Sequence, residues 1–392
     1  MRILEFIKQN CKDVEFHALG DVCNKNSFKQ IGAGELENLK VNNPKEPIKL
    51  LPSSANYDWI SDREICKDFI CKGEVITLGR ARYANLKYHN GEFISSNNIL
   101  ISAKTGILGK FLYYFIENNK EKFYVATGTY PKFDMKTFDN FKIPVPSLEV
   151  QNKIVEVLDS FTSLERSLER EKLAREKQYK YYLNHLITNA RNSRILKLGE
   201  VCEFVRGGNF QKKDFLDSGF ACIHYGQIYT HYGIWADKTK TFISPELAKK
   251  QKIANKNDIV MAITSENVED VCKCTAWLGD EPVAVGGHST IIKHNQNAKF
   301  LSYYFHSNYF ANFKPKIAQG VKVMEVYPKN LAKVEIPLPP LDEQERIVRI
   351  LDSLNELANG LSAGIPKEIE LRQKQYEYWR DRLLEFPSKD SK

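Results

Sequence analysis

The chain has 392 residues, of which 42% are hydrophobic and 27% are charged, and its formal net charge is +8. This length exceeds what one ordinary core encloses, so two or three domains are expected, and the hydrophobic content excludes wholesale disorder. The sequence contains no run of 18 apolar residues and no secretory signal, so we expect a soluble, cytoplasmic protein that does not bind a membrane.

The positive charge is concentrated in two long blocks of the sequence. Residues 1–142 carry 21 Lys and Arg against 17 Asp and Glu, and residues 191–335 carry 20 against 14. The shorter blocks, 143–190 and 336–392, carry 7 against 7 and 9 against 11. Basic domains joined by nearly neutral segments favour a polyanion as the ligand of the domains. A lysine-rich surface without such a ligand is the alternative.

The first elements expected along the chain are strands followed by one short helix. EVITL at 74–78 and FISSNNILIS at 93–102 are rich in β-branched residues and are bounded by Gly, Asn and Asp, so they predict strands. FLYYFIENN at 111–119 has the spacing of an amphipathic helix. Residues 1–142 are thus predicted to form one mixed α/β domain.

A long helix is predicted to follow this domain, over about residues 147–190. Pro144 and Pro146 forbid helix before it, and Ser147 is the expected N-cap. Glu149 places negative charge near the helix N-terminus, where the helix dipole favours it. At ~1.5 Å per residue the helix would run for ~65 Å, which exceeds the ~34–36 Å of one turn of B-DNA.

The second half of the chain repeats these elements in the same order. ILKLGEVC at 195–202 resembles FHALGDVC at 16–23, and FLSYYFHSNYF at 300–310 resembles the first predicted short helix. DIVMAITS at 258–265 predicts a strand. The repeat therefore indicates two copies of one unit, each made of a domain followed by a helix.

The entrance of each long helix is the best-matched part of the repeat. IPVPSLEVQNKIVEVLDSFTSL begins at residue 143, IPLPPLDEQERIVRILDSLNEL begins at residue 336, and the two share 11 of 22 residues at an offset of 193. The offset between matching segments drifts from 179 to 193, as insertions in surface loops would produce.

Each long helix also carries an apolar seam whose members recur at steps of four, three, three and four residues. Such a narrow seam is typical of a coiled coil, and two seams of equal length can bury each other in an antiparallel pair. Packing of each helix on its own domain is the alternative. The seam residues, which are also our candidates for spacing the domains and docking a partner, are Ile154, Leu158, Phe161, Leu164 and Leu168 in the first copy and Ile347, Leu351, Leu354, Leu357 and Leu361 in the second.

The second helix departs from the first beyond its middle. QYEYWRDRLL at 375–384 matches QYKYYLNHLI at 178–187 with an offset of 197, so the second copy carries four extra residues. They surround the segment Ala363-Gly364-Ile365-Pro366. Gly364 and the residue before Pro366 predict a break or kink there.

We find no recognisable catalytic or metal-binding motif in the sequence. TGILGKF at 105–111 lacks the first Gly and the final hydroxyl of a phosphate-binding loop. Cys272 and Cys274, taken with His288 or His294, fit no common zinc spacing, and the eight scattered cysteines are expected to be reduced thiols. We therefore expect no catalytic residue, no cofactor and no metal ion.

Three polar segments combine cations, amides and aromatic residues in a way that suits contact with DNA: residues 79–91, 206–215 and 224–233. Arg can bind a guanine edge and Asn or Gln an adenine edge, whereas Lys mostly neutralises phosphate and aromatic residues can wedge or stack. A solvated polar loop would have the same composition. The candidate DNA-binding residues are Arg80, Arg82, Tyr83, Asn85, Lys87, Arg206, Asn209, Gln211, Lys212, Lys213, Gln227, Tyr229, His231 and Tyr232.

The element IPxPxLxxQxxIV before a long helix, present twice and each time after an α/β domain, resembles the specificity (S) subunits of type I restriction–modification systems. The approach segments 126–141 and 318–335 support the resemblance, which covers essentially the whole chain. It implies an α+β fold with an internal pseudo-twofold repeat, in which two similar mixed α/β target recognition domains are joined by two long helices forming an antiparallel coiled coil. The implied domains are residues 1–142 and 191–335, and the implied spacer helices are residues 143–190 and 336–392.

The resemblance also implies a function. Each domain would read one half of a bipartite, asymmetric target in double-stranded DNA. The helices would hold the two halves apart and dock methyltransferase (M) subunits, two in number, with restriction (R) subunits as further partners. In this family methylation with S-adenosylmethionine belongs to M and ATP-driven cleavage belongs to R, so the S subunit is not an enzyme.

Two other functions remain as alternatives. A nucleic-acid-modifying enzyme with an unfamiliar active site would transfer methyl groups without a partner. A coiled-coil scaffold that binds proteins and no DNA would lack salt-sensitive DNA binding.

Overall fold

The computed structural model describes residues 2–11, 14–55, 58–79, 85–127, 130–359 and 364–386. The chain divides into two compact units, the first formed by Met1–Ser167 with Ile369–Lys392 and the second by Leu168–Glu368. Each unit therefore combines one α/β domain with parts of both predicted helical segments.

The domain of the first unit is built mainly around a six-stranded sheet. Its elements are α1 (Arg2–Asn10), β1 (Glu15–Ala18), α2 (Leu19–Val22), β2 (Cys23–Lys25), α3 (Ala33–Asn38), β3 (Pro47–Leu51), β4 (Ile60–Asp62), α4 (Arg63–Cys66), β5 (Cys71–Gly79), β6 (Lys87–Ser95), β7 (Asn98–Ala103), α5 (Gly109–Asn119), β8 (Tyr124–Thr127), β9 (Tyr130–Phe133), α6 (Met135–Asn140) and β10 (Lys142–Val145). The sheet has the order β2-β7-β5-β6-β3-β4, and its neighbours are antiparallel except for β3 and β6. Helix α5 packs on this sheet and buries Phe111, Leu112 and Ile116 completely.

Of the three elements predicted in this domain, two are confirmed and one is wrong. The predicted strand at 74–78 lies within β5, and the predicted helix at 111–119 lies within α5. The single strand predicted at 93–102 is wrong, because this segment contains the end of β6 and the start of β7. The chain reverses between them through Asn97, whose φ of 54° is in the left-handed region that Asn tolerates better than β-branched residues.

A single continuous helix, α7 (Leu148–Thr188), follows the first domain. Its length of 41 residues confirms the predicted long helix. Ser147 caps it, since the Val150 amide donates to Ser147 Oγ at 3.4 Å and the Gln151 amide donates to the Ser147 carbonyl at 3.0 Å.

The domain of the second unit contains three sheets and a two-stranded ladder. Its elements are β11 (Arg194–Lys197), α8 (Leu198–Val201), β12 (Cys202–Arg206), β13 (Phe220–Ile223), α9 (Tyr225–Thr230), β14 (Trp235–Ala236), β15 (Thr241–Ile243), α10 (Pro245–Ala248), β16 (Lys252–Ala254), β17 (Ile259–Ala262), β18 (Thr264–Ser265), β19 (Cys274–Trp277), β20 (Val283–Val285), β21 (Ser289–His294), α11 (Ala298–His306), α12 (Asn308–Ala311), α13 (Lys314–Ile317), β22 (Ala318–Gln319), β23 (Met324–Val326), α14 (Pro328–Leu331) and β24 (Glu335–Leu338). The sheet orders are β12-β21-β17-β19-β14, β15-β13-β20-β16 and β18-β23-β22. Helix α11 packs against β19 and buries Phe300, Tyr303 and Tyr304 completely.

The sequence repeat is also a repeat of structure. In the first unit β1 pairs with β10 so that Glu15 lies opposite Val145, and in the second unit β11 pairs with β24 so that Arg194 lies opposite Leu338. Glu15 and Arg194 are 179 residues apart and Val145 and Leu338 are 193 residues apart, the same offsets that relate the two sequence copies. Each unit thus ties its first strand to the strand that enters its long helix in the same register.

The second helical segment consists of two helices, α15 (Leu341–Asn359) and α16 (Ile365–Leu383). This confirms the break predicted near Gly364 and Pro366. Within the described residues, no helix is both long enough and apolar enough to cross a membrane.

The helices run antiparallel within each unit. In the first unit Gln373 Nε2 donates to Glu165 Oε1 at 2.8 Å, and Leu383 lies in the core cluster that contains Val150. In the second unit the Arg191 amide donates to Glu343 Oε1 at 3.2 Å. Further along the same pair of helices, Asp352 lies close enough to Tyr179 for its charge to help raise the pKa of that tyrosine. Residue numbers therefore fall along one helix as they rise along the other.

The prediction that the two apolar seams bury each other is wrong for their first members. Ile154 and Leu158 are fully buried in the core of the first domain, and Ile347 and Leu351 are fully buried in the core of the second. The physical reason is that α5 and α11 present large apolar side chains to the start of each long helix. The later seam members are more open: Phe161, Leu168 and Leu354 are half-buried, Leu164 and Leu357 are exposed, and Leu361 lies outside the described residues.

Candidate nucleic-acid interface

A buried glutamine fastens each long helix to its own domain. Gln151 Oε1 accepts from the Leu108 amide at 2.8 Å, and its Nε2 donates to the Pro146 carbonyl at 2.8 Å. Gln344, which occupies the same position of the repeat, accepts from the Asn297 amide at 3.0 Å and donates to the Pro339 carbonyl at 2.8 Å. The glutamine of the repeated motif therefore positions the domain on its helix.

A second duplicated contact, which we call the helix latch, joins an aspartate of the long helix to a lysine and a tyrosine of the domain. In the second unit Asp352 accepts from Lys299 Nζ at 2.8 Å and from the Tyr303 hydroxyl at 2.7 Å. The first unit has the same contacts among the latch residues Asp159, Lys110 and Tyr114. Burial and the nearby carboxylate raise the pKa of both tyrosines, so each hydroxyl stays protonated and able to donate.

The sequence alone did not identify the helix latch. The visible signal was the recurrence of Lys-Phe-Leu in the first turn of both short helices and of Leu-Asp-Ser in both long helices. What the sequence could not give is that these two recurrences meet in space.

The second domain carries an open basic cleft of about 600 Å³. Its lining includes four cations and, among the described residues, no Asp or Glu. This excess of cations suits an anionic ligand. The four lining cations are Arg206, Lys212, Lys250 and Lys252.

Two glycines shape one wall of this basic cleft. The Gly207 amide donates to the Ser289 carbonyl at 2.9 Å, and the Gly208 amide donates to the Val285 carbonyl at 2.7 Å. A Cβ at Gly207 would lie 2.1 Å from the Gly286 carbonyl oxygen, so a side chain at this position would displace backbone. The double glycine in the sequence thus lets the loop lie directly against the neighbouring strands.

The loop that follows is held through its backbone and exposes its side chains. The Asn209 amide donates to Gln251 Oε1 at 2.7 Å, and the Gln211 amide donates to Asp214 Oδ2 at 2.8 Å. The side chains of Asn209, Gln211 and Lys212 are exposed. Amides and a cation on a fixed loop suit contacts with base edges and phosphate.

Three neighbouring rings, tilted against one another, line another part of the basic cleft. The ring centroids of His224 and Tyr225 are 4.5 Å apart, and those of Tyr225 and His288 are 5.1 Å apart. His224 Nδ1 accepts from the Gly226 amide at 3.2 Å, and burial together with the nearby charge of Lys212 lowers the pKa of His224. The neutral His224 ring therefore carries its proton on Nε2.

The candidates in the second domain fall into two groups. Arg206, Asn209, Gln211, Lys212, Lys213 and His231 are exposed, and Arg206 also pairs with Glu325 at 3.2 Å. The others form the framework: Gln227 is buried and donates to Thr241 Oγ1 at 2.9 Å, the Tyr229 hydroxyl donates to the Thr264 carbonyl at 2.6 Å, and the Tyr232 hydroxyl accepts from the Lys240 amide at 3.0 Å. The segment that holds these three is largely helix α9.

Of the DNA-binding candidates in the first domain, Asn85 and Lys87 lie within the described residues. Arg80, Arg82 and Tyr83 lie outside the described residues. Asn85 Nδ2 donates to the Ser53 carbonyl at 2.9 Å.

Lys87 lies in strand β6, whereas the composition of the polar segment 79–91 suggested a loop there. It is fully buried, its ammonium group donates to the Pro52 carbonyl at 2.7 Å, and it anchors the segment that carries Pro52. Burial and the charge of Lys49 lower the pKa of Lys87 to about 8. Its buried ammonium is thus used internally and does not lie where it could bind a phosphate on the protein surface.

The two neighbouring cysteines of the second domain, Cys272 and Cys274, are buried free thiols. Cys274 Sγ lies 3.9 Å from His306 Nδ1, a residue that the sequence did not connect with it. Burial raises the pKa of Cys274 to about 12, so its thiol keeps its proton at neutral pH. In the part of the chain that the structure describes, no group of three or more His, Cys, Asp or Glu side chains could hold a metal ion.

Comparisons with known proteins agree with this architecture. A family model described as "Type I restriction modification DNA specificity domain" matches residues 11–175 and 191–371. A putative type I restriction enzyme specificity subunit of Haemophilus influenzae is 28% identical, over 88% of this chain and 92% of its own length. The EcoR124I/EcoR124II specificity subunit of Escherichia coli is 31% identical, over 72% of each chain. The crystal structure of a type I restriction–modification S subunit from M. genitalium has a similar fold, with a TM-score of 0.57, 12% identity, and coverage of 96% of this chain and 97% of that chain.

Proposed function

Since the chain belongs to the type I restriction modification DNA specificity family, we propose that it is the subunit that selects the DNA target of such a system. In this role it is not itself an enzyme, and methylation and cleavage are carried out by partner subunits in the cytoplasm. The observation that carries the proposal is the duplication of a whole domain-and-helix unit, with the basic cleft in its second copy. Two domains would each read one half of a bipartite target.

The basic cleft gives the DNA contact of the second domain a physical basis. Lys250 and Lys252 supply charge for phosphate, and the exposed amides of Asn209 and Gln211 can pair with base edges. Arg206 is held by Glu325, so its guanidinium is oriented before DNA binds.

The helices are proposed to dock two M subunits, one on each unit, with R subunits joining the same complex. In the second unit a surface groove of about 680 Å³ lies beside α7 and α15 and is lined by Tyr182, Arg349, Ile350 and Leu354. The repeat places Val157 and Phe161 at the positions of Ile350 and Leu354. The apolar members of the groove thus have apolar counterparts in the other copy, whereas Arg349 is replaced by Glu156. The shared apolar positions support two copies of the same partner.

The experiment that tests the proposed function maps methylation in cells that contain the M subunit of the same system with and without this chain. We expect methylation at a bipartite sequence only when this chain is present. Appearance of no such sequence, or the same methylation without this chain, would refute the proposal.

A charge variant tests the basic cleft in the same system. The double substitution Lys250→Gln and Lys252→Gln should weaken DNA binding by the assembled complex and reduce the slope of log K against log salt by about two. Lys249→Gln is the matched control, because Lys249 is an exposed neighbour that does not line the cleft. Equal slopes for the double variant and the control would remove the cleft from the interface.

A further inference from the structure

A β-hairpin of the second domain presents apolar side chains at its tip. Strands β22 and β23 pair with Ala318 opposite Val326 and Gln319 opposite Glu325, which leaves residues 320–323 as the turn. Val321 is 93% exposed and Val323 is 58% exposed, and Lys322 lies between them. Among the exposed large apolar side chains of the described residues, Val321 has the highest exposed fraction.

The stem of this hairpin is fixed to the domain. Strand β23 also pairs with β18, so that Thr264 lies opposite Glu325, and the Val326 amide donates to the Ile263 carbonyl at 2.9 Å. Val326 is fully buried. A rigid stem under an exposed tip means that Val321 is held in water rather than folded back onto the protein surface.

The turn itself is narrow. Gly320 has a φ of 119°, and a Cβ there would lie 2.0 Å from the Val323 carbonyl oxygen. A side chain at position 320 would therefore collide with the turn, while the residues on either side of Lys322 are exposed.

The hairpin lies next to the basic cleft. Arg206, which lines the cleft, forms an ion pair with Glu325 of the hairpin stem at 3.2 Å. Lys322 adds a cation at the tip. Because Glu325 neutralises Arg206 in this pair, the positive charge near the hairpin comes from Lys322 at the tip and from the lysines of the neighbouring cleft. The apolar side chains therefore lie beside groups that attract a polyanion.

We infer that the hairpin tip enters a groove of duplex DNA, where Val321 packs against base edges and Lys322 binds a backbone phosphate. This inference rests on the proposed function. Apolar side chains read base edges by contact, chiefly with the thymine methyl group, and apolar tips on DNA-binding proteins also pack between base steps. A protein partner is the competing occupant, and the charge that surrounds the tip favours DNA.

The test uses the complex of this chain with the M subunit of its own system and the target sequence obtained by methylation mapping. Val321→Ser should weaken binding of the specific duplex by roughly tenfold while leaving the salt slope unchanged, because it removes an apolar base contact and no charge. Lys322→Gln should instead reduce the salt slope by about one. Ile195→Ser is the matched control, since Ile195 is a β-branched residue that is 58% exposed in the same unit and away from the cleft lining.

The position of the effect provides a second readout. Methylation mapping with Val321→Ser should show relaxed sequence preference in one half of the bipartite target and an unchanged preference in the other. Val321→Ser complexes that bind the target with wild-type affinity and preference would overturn the inference. Loss of M-subunit binding in sedimentation would overturn it as well, because the tip would then be a protein contact. Failure of the proposed function is distinguishable, since in that case the wild-type complex itself would show no bipartite preference.

Discussion

The helix latch of the second unit yields the most sharply defined prediction. Tyr303→Phe removes one hydroxyl and changes nothing else in the shape of a fully buried ring. The variant therefore tests the bond from Tyr303 to Asp352 without opening a cavity. It leaves the ion pair between Asp352 and Lys299 in place.

The magnitude follows from the charge and exposure of the acceptor. A hydrogen bond to a charged group contributes about 1.5–3 kcal/mol to stability. Because the Asp352 side chain is 32% exposed, water can replace part of the lost bond, and we expect a loss near the lower limit, about 1.5 kcal/mol. Tyr114→Phe should cost about as much as Tyr303→Phe, because the aspartate of that latch is similarly exposed and the Tyr114 hydroxyl also lies 3.3 Å from Thr162 Oγ1.

The assay is hydrogen exchange resolved by segment, since a chain with two compact units is not expected to unfold in one step. Tyr303→Phe should raise exchange in α11 and α15 by roughly tenfold, which corresponds to about 1.4 kcal/mol. Tyr378→Phe is the matched control, because Tyr378 is 52% exposed. If Tyr303→Phe and Tyr378→Phe exchange alike in these helices, the latch does not hold the domain to its helix.

Two further predictions concern the first unit. Leu158→Ala should destabilise this unit by about 2–5 kcal/mol in thermal unfolding, because Leu158 is fully buried. The control Leu164→Ala, on the exposed part of the same seam, should change the stability by no more than about 0.5 kcal/mol. Equal losses for the two variants would contradict the placement of Leu158 in the domain core. The pKa of Lys87 is lowered to about 8 in the folded chain, whereas lysines of an unfolded chain titrate near 10.4. Between these pH values the unfolded chain binds more protons, so the contribution of Lys87 to the free energy of unfolding should rise as the pH rises. Urea unfolding of the wild type and of Lys87→Met across this range measures that contribution as a difference, and parallel pH profiles would refute it.

The architecture was predictable because the sequence states it twice. Two copies of the helix entrance made the domain-and-helix repeat visible. Gly364 and Pro366 predicted the break between α15 and α16 because Gly and the residue before Pro disfavour a continuous helix. These features depend on local residue order, which is what a sequence pattern contains.

The partners of the apolar seams were not predictable in the same way. A stripe of Ile154 and Leu158 shows that one face of the helix is buried, but its period is the same whether a second helix or a domain covers that face. In the structure Ile154 and Leu158 share one core cluster with the first domain and with Leu383 and Leu384 of the second helical segment, so a domain and a helix cover that face together.

The candidate interface was predictable only in part, because its chemistry comes from distant segments. The loop around Asn209 and Gln211 was visible as a polar cluster, whereas Lys250 and Lys252 reach the same cleft from about 40 residues further along the chain. Lys87 was misplaced for the opposite reason: its buried position is created by carbonyl groups of residues 52 and 54, which no local pattern around Lys87 reveals.

The loop beside the basic cleft offers a route to altered specificity by protein engineering. Its backbone amides at Asn209 and Gln211 are bound by the side chains of Gln251 and Asp214, while the side chains of Asn209 and Gln211 are exposed. Both positions can therefore be randomised in a combinatorial library without rebuilding the scaffold. Gly207 and Gly208 must be kept constant in any such library, since a methyl group at either one would collide with its neighbours.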